Sequence, residues 1–213
     1  MKRRTTVISA IAAVALLGAG TATAVAVSDD DQPSGSTVRV TDDGVSDARE
    51  NANEAKGAKI KAEDAIAAAL KHTSGVAAGA DLDSDDGRLV WDVDVIGAGS
   101  TWHHVEVDPG TGKVLGSHVE KDDDGDDDDG DDAAEAARVA DALKNASTSA
   151  SDAARAGAAK GTVTSVDADD DGSVRVWEVE TTSADGTQHD WHVDLRSGAV
   201  TVDRSSSSDS DDD

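Results

Sequence analysis

The stretch Leu89-Val90-Trp91-Asp92-Val93-Asp94-Val95 reads as a half-buried β-strand, and Val176-Trp177-Glu178-Val179-Glu180 repeats it 86 residues later (177 − 91). Strict alternation puts Leu89, Trp91, Val93 and Val95 on one face and Val90, Asp92 and Asp94 on the other. Working outward without a gap, Gly75 meets Gly161, and Asp81, Asp83 and Asp85 meet Asp167, Asp169 and Asp171. His103 meets His189, and Val107, Asp108, Gly112 and Val114 meet Val193, Asp194, Gly198 and Val200. The chain has only four Trp, so a matched Trp pair is poor coincidence. Two copies of one small domain are implied, each expected to bury its own core, because two units are too few for a solenoid.

Each copy reads as a helix followed by strands. Residues 62–72 are rich in helix formers, with Ala62, Ile66, Ala69 and Leu70 on one face, and the helix stops near Gly75. A short strand over 76–82, an acidic turn, the strand quoted above, a Gly-rich turn at 97–100 and a strand over 101–107 follow. Asp108-Pro109-Gly110-Thr111-Gly112 is a turn before a last short strand. A helix on an antiparallel sheet makes the fold class α+β. In the second copy the gapless offset puts Asp152 and Ala156 at the places of Ile66 and Leu70. That helix, over 151–159, would then be held mostly by Ala, although Ser149 and Asp152 have capping-box spacing. The second copy is therefore expected to be the weaker, folding apart from the first.

The 213 residues include 45 acidic and 19 basic side chains, for a formal net charge of −26, and no Cys. Such a chain repels nucleic acid and anionic lipid; cations and basic proteins are its electrostatic partners. Absent Cys removes disulfides, thiolate metal sites and a Cys nucleophile. Lys2, Arg3 and Arg4, an apolar run over 7–18 and Ala22-Thr23-Ala24 read as an export signal over residues 1–24, cleaved after Ala24. Left uncleaved, residues 7–27 would be long enough to anchor the chain in a bilayer. Either outcome is extracytoplasmic, secreted or held at the outer face of the membrane. Residues 25–59 read as a polar spacer with helical turns near 47–59. The two units are 60–121 and 133–204, the latter opening with a helix over 133–144 capped by Asp132, with Val139 and Leu143 on one stripe. Between them lies an acidic linker, 122–132, and after them an acidic tail, 205–213, which composition makes disordered.

These residues resemble the PepSY family. The first copy carries Ala62-Glu63-Asp64-Ala65-Ile66, then Gly75, Val90-Trp91-Asp92-Val93, Val105-Glu106-Val107-Asp108 and Thr111-Gly112-Lys113-Val114-Leu115. The second carries Trp177-Glu178-Val179-Glu180 and Val193-Asp194-Leu195-Arg196-Ser197-Gly198-Ala199-Val200, with Ser197 where the pattern has Thr. The resemblance implies two small cystatin-like units in an exported bacterial protein. It also implies a non-enzymatic role in binding a protein partner, with modulation or inhibition of an extracytoplasmic peptidase as the family's proposed activity. No His-Glu-x-x-His occurs, so no attached metallopeptidase is expected, and no Gly-x-Ser-x-Gly supports a serine nucleophile.

Two sets of residues are candidate sites. Asp167, Asp169, Asp171 and Glu178 fit the spacing of an EF-hand calcium loop, with Gly172 at the turn. Against this, the residues after the loop are β-branched and alternating, so an acidic hairpin is the competing reading, and no cofactor beyond weakly held calcium is expected. Asp92, Asp94 and Glu106 share the outer sheet face, and parity places Trp102 with them, as a docking surface for a basic partner. His103 and His104 on a strand point to opposite faces, as do His189 and His192. Neither pair can chelate one ion, so His103 and His189 are expected to be half-buried and His104 and His192 to face solvent. The alternative to partner binding is an acidic, calcium-binding cell-surface protein.

Overall fold

Two antiparallel meanders, one from each copy, join edge to edge. The computed structural model describes residues 35–40, 46–85, 87–119, 129–169 and 174–203. The expected export signal, the acidic run over 122–128, Asp171 and the acidic tail lie outside the described residues. Chain order is α1 (Asp47–Gly57), α2 (Ala62–His72), β1 (Val76–Asp85), β2 (Arg88–Ile96), β3 (Trp102–Val107), β4 (Val114–Val119), α3 (Asp129–Lys144), α4 (Ala150–Gly157), β5 (Thr162–Ala168), β6 (Val176–Thr182), β7 (Gln188–Asp194) and β8 (Val200–Val202). The strands form one sheet in the order β4-β3-β2-β1-β5-β6-β7-β8, every neighbouring pair antiparallel. The α+β class and the helix-on-sheet units are as the sequence implies.

The seam between the copies is not encoded in the alternation of either strand. β1 and β5 pair through Gly79↔Asp167, Ala80↔Val166 and Asp81↔Ser165. The 86-residue offset carries 79, 80 and 81 onto 165, 166 and 167, so the pairing maps onto itself when the copies are exchanged. It has the symmetry of a two-fold dimer contact made within one chain. The same edge strand is open in each copy, and pairing the two satisfies both rows of backbone groups at once. The buried side chains then form one cluster, with Ile66 and Trp91 of the first copy and Ala154 and Trp177 of the second in it, and α2 touches α4. Separate cores are thereby replaced by a shared one.

The structure also moves the register of the helices. In α2 the buried positions are Ala62, Ala65, Ile66 and Ala69; in α4 they are Ala150, Ala153, Ala154 and Gly157. The helix offset is therefore 88 (154 − 66), and Ile66 corresponds to Ala154 rather than Asp152. The two extra residues are recovered before β5, where the sheet resumes the offset of 86. Asp152 instead closes a capping box with Ser149. Leu70, expected in the core, is 37% exposed. The Ile66-to-Ala154 change removes three carbons, about 2 kcal/mol of burial. Gly157 offsets part of this by letting α4 lie directly on β6; a Cβ there would come within 2.5 Å of Val179 Cγ1.

The residues before the first unit belong to the fold and are not all spacer. Residues 36–40 run beside the start of β2, beyond the end of β3, through Leu89 N–H to Val38 O at 3.1 Å and Val40 N–H to Gly87 O at 3.0 Å. Helix α1 buries Ala52 and Ala55 and touches β1, β5 and β6, while α3 touches β1. Each leading helix thus reaches strands of the other copy. Helix α3 begins at Asp129, so the expected linker is helical from that residue and Asp132 is inside the helix rather than its cap.

The two matched Trp are the largest fully buried side chains, each 1% exposed. Trp91 Nε1–H donates to Ile60 O at 3.3 Å and Trp177 Nε1–H to Thr148 O at 3.0 Å, tying each half of the sheet to the residues that lead into its helix. Replacing Trp177 by Ala should cost about 3–5 kcal/mol. Because the core is shared, the fluorescence of Trp91, isolated by placing that change in a Trp102→Phe, Trp191→Phe background, should report an unfolding midpoint lowered along with the far-UV signal. A Trp91 signal that keeps its original midpoint would show that the copies do not share a core.

Candidate functional site

The helices lie on the apolar side of the sheet, and the other face is polar. Cross-strand register assembles that face into two adjoining rows. One row runs His118, His104, Asp94, Gly79, Asp167, Glu178, His192, and the next runs Glu106, Asp92, Asp81, Ser165, Glu180, Asp190. Eight carboxylates therefore share one face, and neither row contains Lys or Arg. Asp92, Asp94 and Glu106 stand together as expected from alternation. Asp167 and Glu178 are direct cross-strand partners on the same face, framed by strands and not by the helix that an EF-hand requires, while Asp169 follows the end of β5. The reading of 167–178 as a separate calcium loop thus differs from what is built: Asp167 belongs to the seam. Trp102 lies opposite Ile96 and is half-buried against the core, not a free anchor.

Carboxyl burial is deepest where the copies meet. Asp167 leans over Gly79, where an added Cβ would lie 2.5 Å from its Oδ1. Burial pushes the Asp167 carboxyl up to about 7, with Asp94, Glu178 and Glu180 adding to the rise and the Ser165 hydroxyl opposing it. Asp81 is also pushed well above the usual carboxylate range, by burial first and by Asp167 next. Asp92 rises to about 6, through burial and then Asp94, with His104 opposing.

His104 and not His103 carries the notable contact. It is 9% exposed, correcting the expectation that it faces solvent, and His189 is exposed rather than half-buried. His104 Nδ1 lies 2.7 Å from Asp94 Oδ1, and its ring stacks on His118 with centroids 4.9 Å apart. Asp92, Asp94 and His104 each offer a donor atom, all within 4.8 Å of one another, and could hold a metal ion. The hairpin register was the available signal: a turn over 97–101 makes residues whose numbers sum to 198 face each other, which pairs Asp94 with His104.

The Val-Asp-turn-Gly ending has a structural role in both copies. Asp108 Oδ1 accepts from Gly110 N–H at 2.6 Å and Thr111 N–H at 3.1 Å, and Oδ2 accepts from Thr37 N–H at 2.9 Å. Burial would raise this carboxyl, but these hydrogen bonds outweigh it and leave it below the ordinary value. Asp194 does the same for its turn through Ser197 and Arg196, so Ser fills the role of Thr in the second copy.

A tandem of helix-on-sheet modules, joined into one sheet with an acidic face, is the class of protein that this geometry defines. The sequence model of PepSY, described as "Peptidase propeptide and YPEB domain", matches residues 59–118 and 132–201. That is more than half of the chain, and the chain belongs to this family. A solved structure described as a "putative lipoprotein" from Clostridium difficile 630 is similar at 22% identity, covering 67% of this chain and 91% of the other, with a TM-score of 0.41. Among curated proteins none matches. No helix among the described residues is long and apolar enough to cross a membrane.

The raised carboxyls fix a sign. Asp167 has a folded value of about 7 against an ordinary 3.8, so its favourable contribution is complete below the ordinary value and is lost as pH rises toward the folded one. Thermal stability should therefore fall between pH 4 and pH 7 beyond what Asp167→Asn shows. At pH 8 that variant should melt higher than the parent. Exposed Asp185→Asn is the control, and equal pH profiles for parent and Asp167→Asn would contradict the burial of this charge.

Proposed function

We propose that this PepSY tandem is a non-enzymatic, exported binding protein whose acidic sheet face docks a basic protein partner, an extracytoplasmic peptidase being the class the family points to. The carrying observation is the pair of rows on the polar sheet face, which hold eight carboxylates and, among the described residues, no Lys or Arg across the two copies. A surface with one sign of charge steers an oppositely charged partner and fixes its orientation more than it supplies affinity. The family's description, with its peptidase propeptides, supports the choice of partner. The eight-stranded sheet supports it too, since a face held by a shared core is already organised before docking.

The test uses the secreted peptidases of the protein's own source. The mature chain should retain one of them and lower its activity, with the effect weakening as sodium chloride screens the face. Glu106→Gln, Glu178→Gln and Asp190→Asn together should weaken retention by about tenfold or more at low salt, leaving the fold intact. Retention that is salt-independent and unchanged in the triple variant would overturn the acidic face as the docking surface. Activity unchanged by saturating protein would remove the peptidase role.

A further inference from the structure

We propose that Asp92, Asp94 and His104 form a binding site for a single divalent transition ion of the zinc and cobalt class, present in the first copy and lost from the second. The donor set comes from two adjacent strands of one hairpin, β2 and β3, whose register is fixed by six residue pairs. His104 Nδ1 and Asp94 Oδ1 are 2.7 Å apart. Two donors at about 2.1 Å from one ion lie about 3.0 Å apart when adjacent in an octahedron and about 3.4 Å apart in a tetrahedron. That pair thus already has a spacing close to shared coordination. With all three donors within 4.8 Å of one another, a side-chain adjustment of about an ångström closes the set.

An independent observation separates this cluster from the rest of the acidic face. Asp92 Oδ1 is enclosed and accepts no hydrogen bond among the described residues, and the enclosed Asp94 Oδ1 likewise accepts none, having only the His104 contact. A buried carboxylate oxygen without a donor is costly, and a cation is one way to satisfy it. The second copy shows the other way. Its counterparts of Asp92, Asp94 and His104 are Glu178, Glu180 and Asp190. Glu180 Oε1 there accepts from Thr164 Oγ1 at 2.9 Å and from Gln188 Nε2 at 2.7 Å. The first copy has Ala78 and Trp102 at the places of Thr164 and Gln188 and makes no such bonds. The second copy thus meets the same demand with protein donors and has no imidazole at position 190.

The chemistry of the donors selects the ion. Calcium takes six to eight oxygen ligands, while one imidazole nitrogen with two carboxylates suits zinc, cobalt, nickel or manganese. The three donors leave coordination positions for water or for a group brought by a partner. This inference stands apart from the docking role above, since an ion can bind whether or not a peptidase does.

The probe is Co²⁺ alone, titrated into the full chain in about 0.5 M sodium chloride to screen diffuse binding by the acidic run and tail. One equivalent should bind and give the visible absorption of imidazole-ligated Co²⁺. His104→Ala and Asp92→Asn should each weaken it by about tenfold or more, while His192→Ala should leave it unchanged. Millimolar Ca²⁺ should not displace it. A titration unaltered in His104→Ala, or one in which Ca²⁺ competes equally, would overturn the site. Should either variant fail to fold, paramagnetic broadening in the intact protein decides. It should strike the imidazole resonances of His104 before those of His192, and equal broadening of both would count against the proposal.

Discussion

The pairing of β1 with β5 is the interaction on which the rest of this protein depends. Each copy alone is a four-stranded meander with β1 or β5 as an open edge, and an open edge is a template for pairing with any other chain. The duplicated sequence meets this with its own counterpart. The equivalence of 79–81 with 165–167 makes the contact self-complementary, so one solution for a strand edge serves both copies. Closing the seam also lets α2 and α4 meet above the sheet and lets the leading helices α1 and α3 reach strands of the other copy.

The same closure creates the electrostatic character of the other face. Asp81 and Asp167 are equivalent in sequence, and the seam brings them onto one polar surface beside Gly79 and Ser165. A single copy would leave each at a solvated edge. Joined, they are desolvated and their carboxyls are pushed up. The structure holds this unfavourable charge because the apolar side is continuous, from Leu89 and Trp91 through Val166 to Trp177 and Val193. An acidic face rigid enough to present charge in fixed rows follows from that balance, and it underlies the proposed docking of a basic partner.

Much of this was legible in the residues. Alternation in 89–95 and 176–180 placed both Trp in the core and Asp92, Asp94, Glu178 and Glu180 outside it. Ser149 and Asp152 announced the start of α4, and the Asp-turn-Gly endings marked their turns. What was not legible is long-range. A gapless repeat hides a two-residue shift in the helices, because Ala-rich segments match one another at many offsets; only burial of Ala154 against Ile66 settles it. The partner of an edge strand is not encoded in that strand's own alternation. Residues 36–40 and α1 have too few large apolar side chains to read as folded, yet backbone pairing and small buried Ala hold them. His104 looked solvent-facing on its own strand, and only its cross-strand neighbours Asp94 and His118 explain its burial.

The most direct test of this account is native-state hydrogen exchange along β1 and β5. If the seam holds, the protected amides of 79–81 and 165–167 exchange only through global unfolding, with the same free energy as amides of β2 and β6 beside Trp91 and Trp177. Fast exchange at 79–81 and 165–167, with β2 and β6 still protected, would mean that both strands are free edges. The two copies would then be independent units, contradicting the seam.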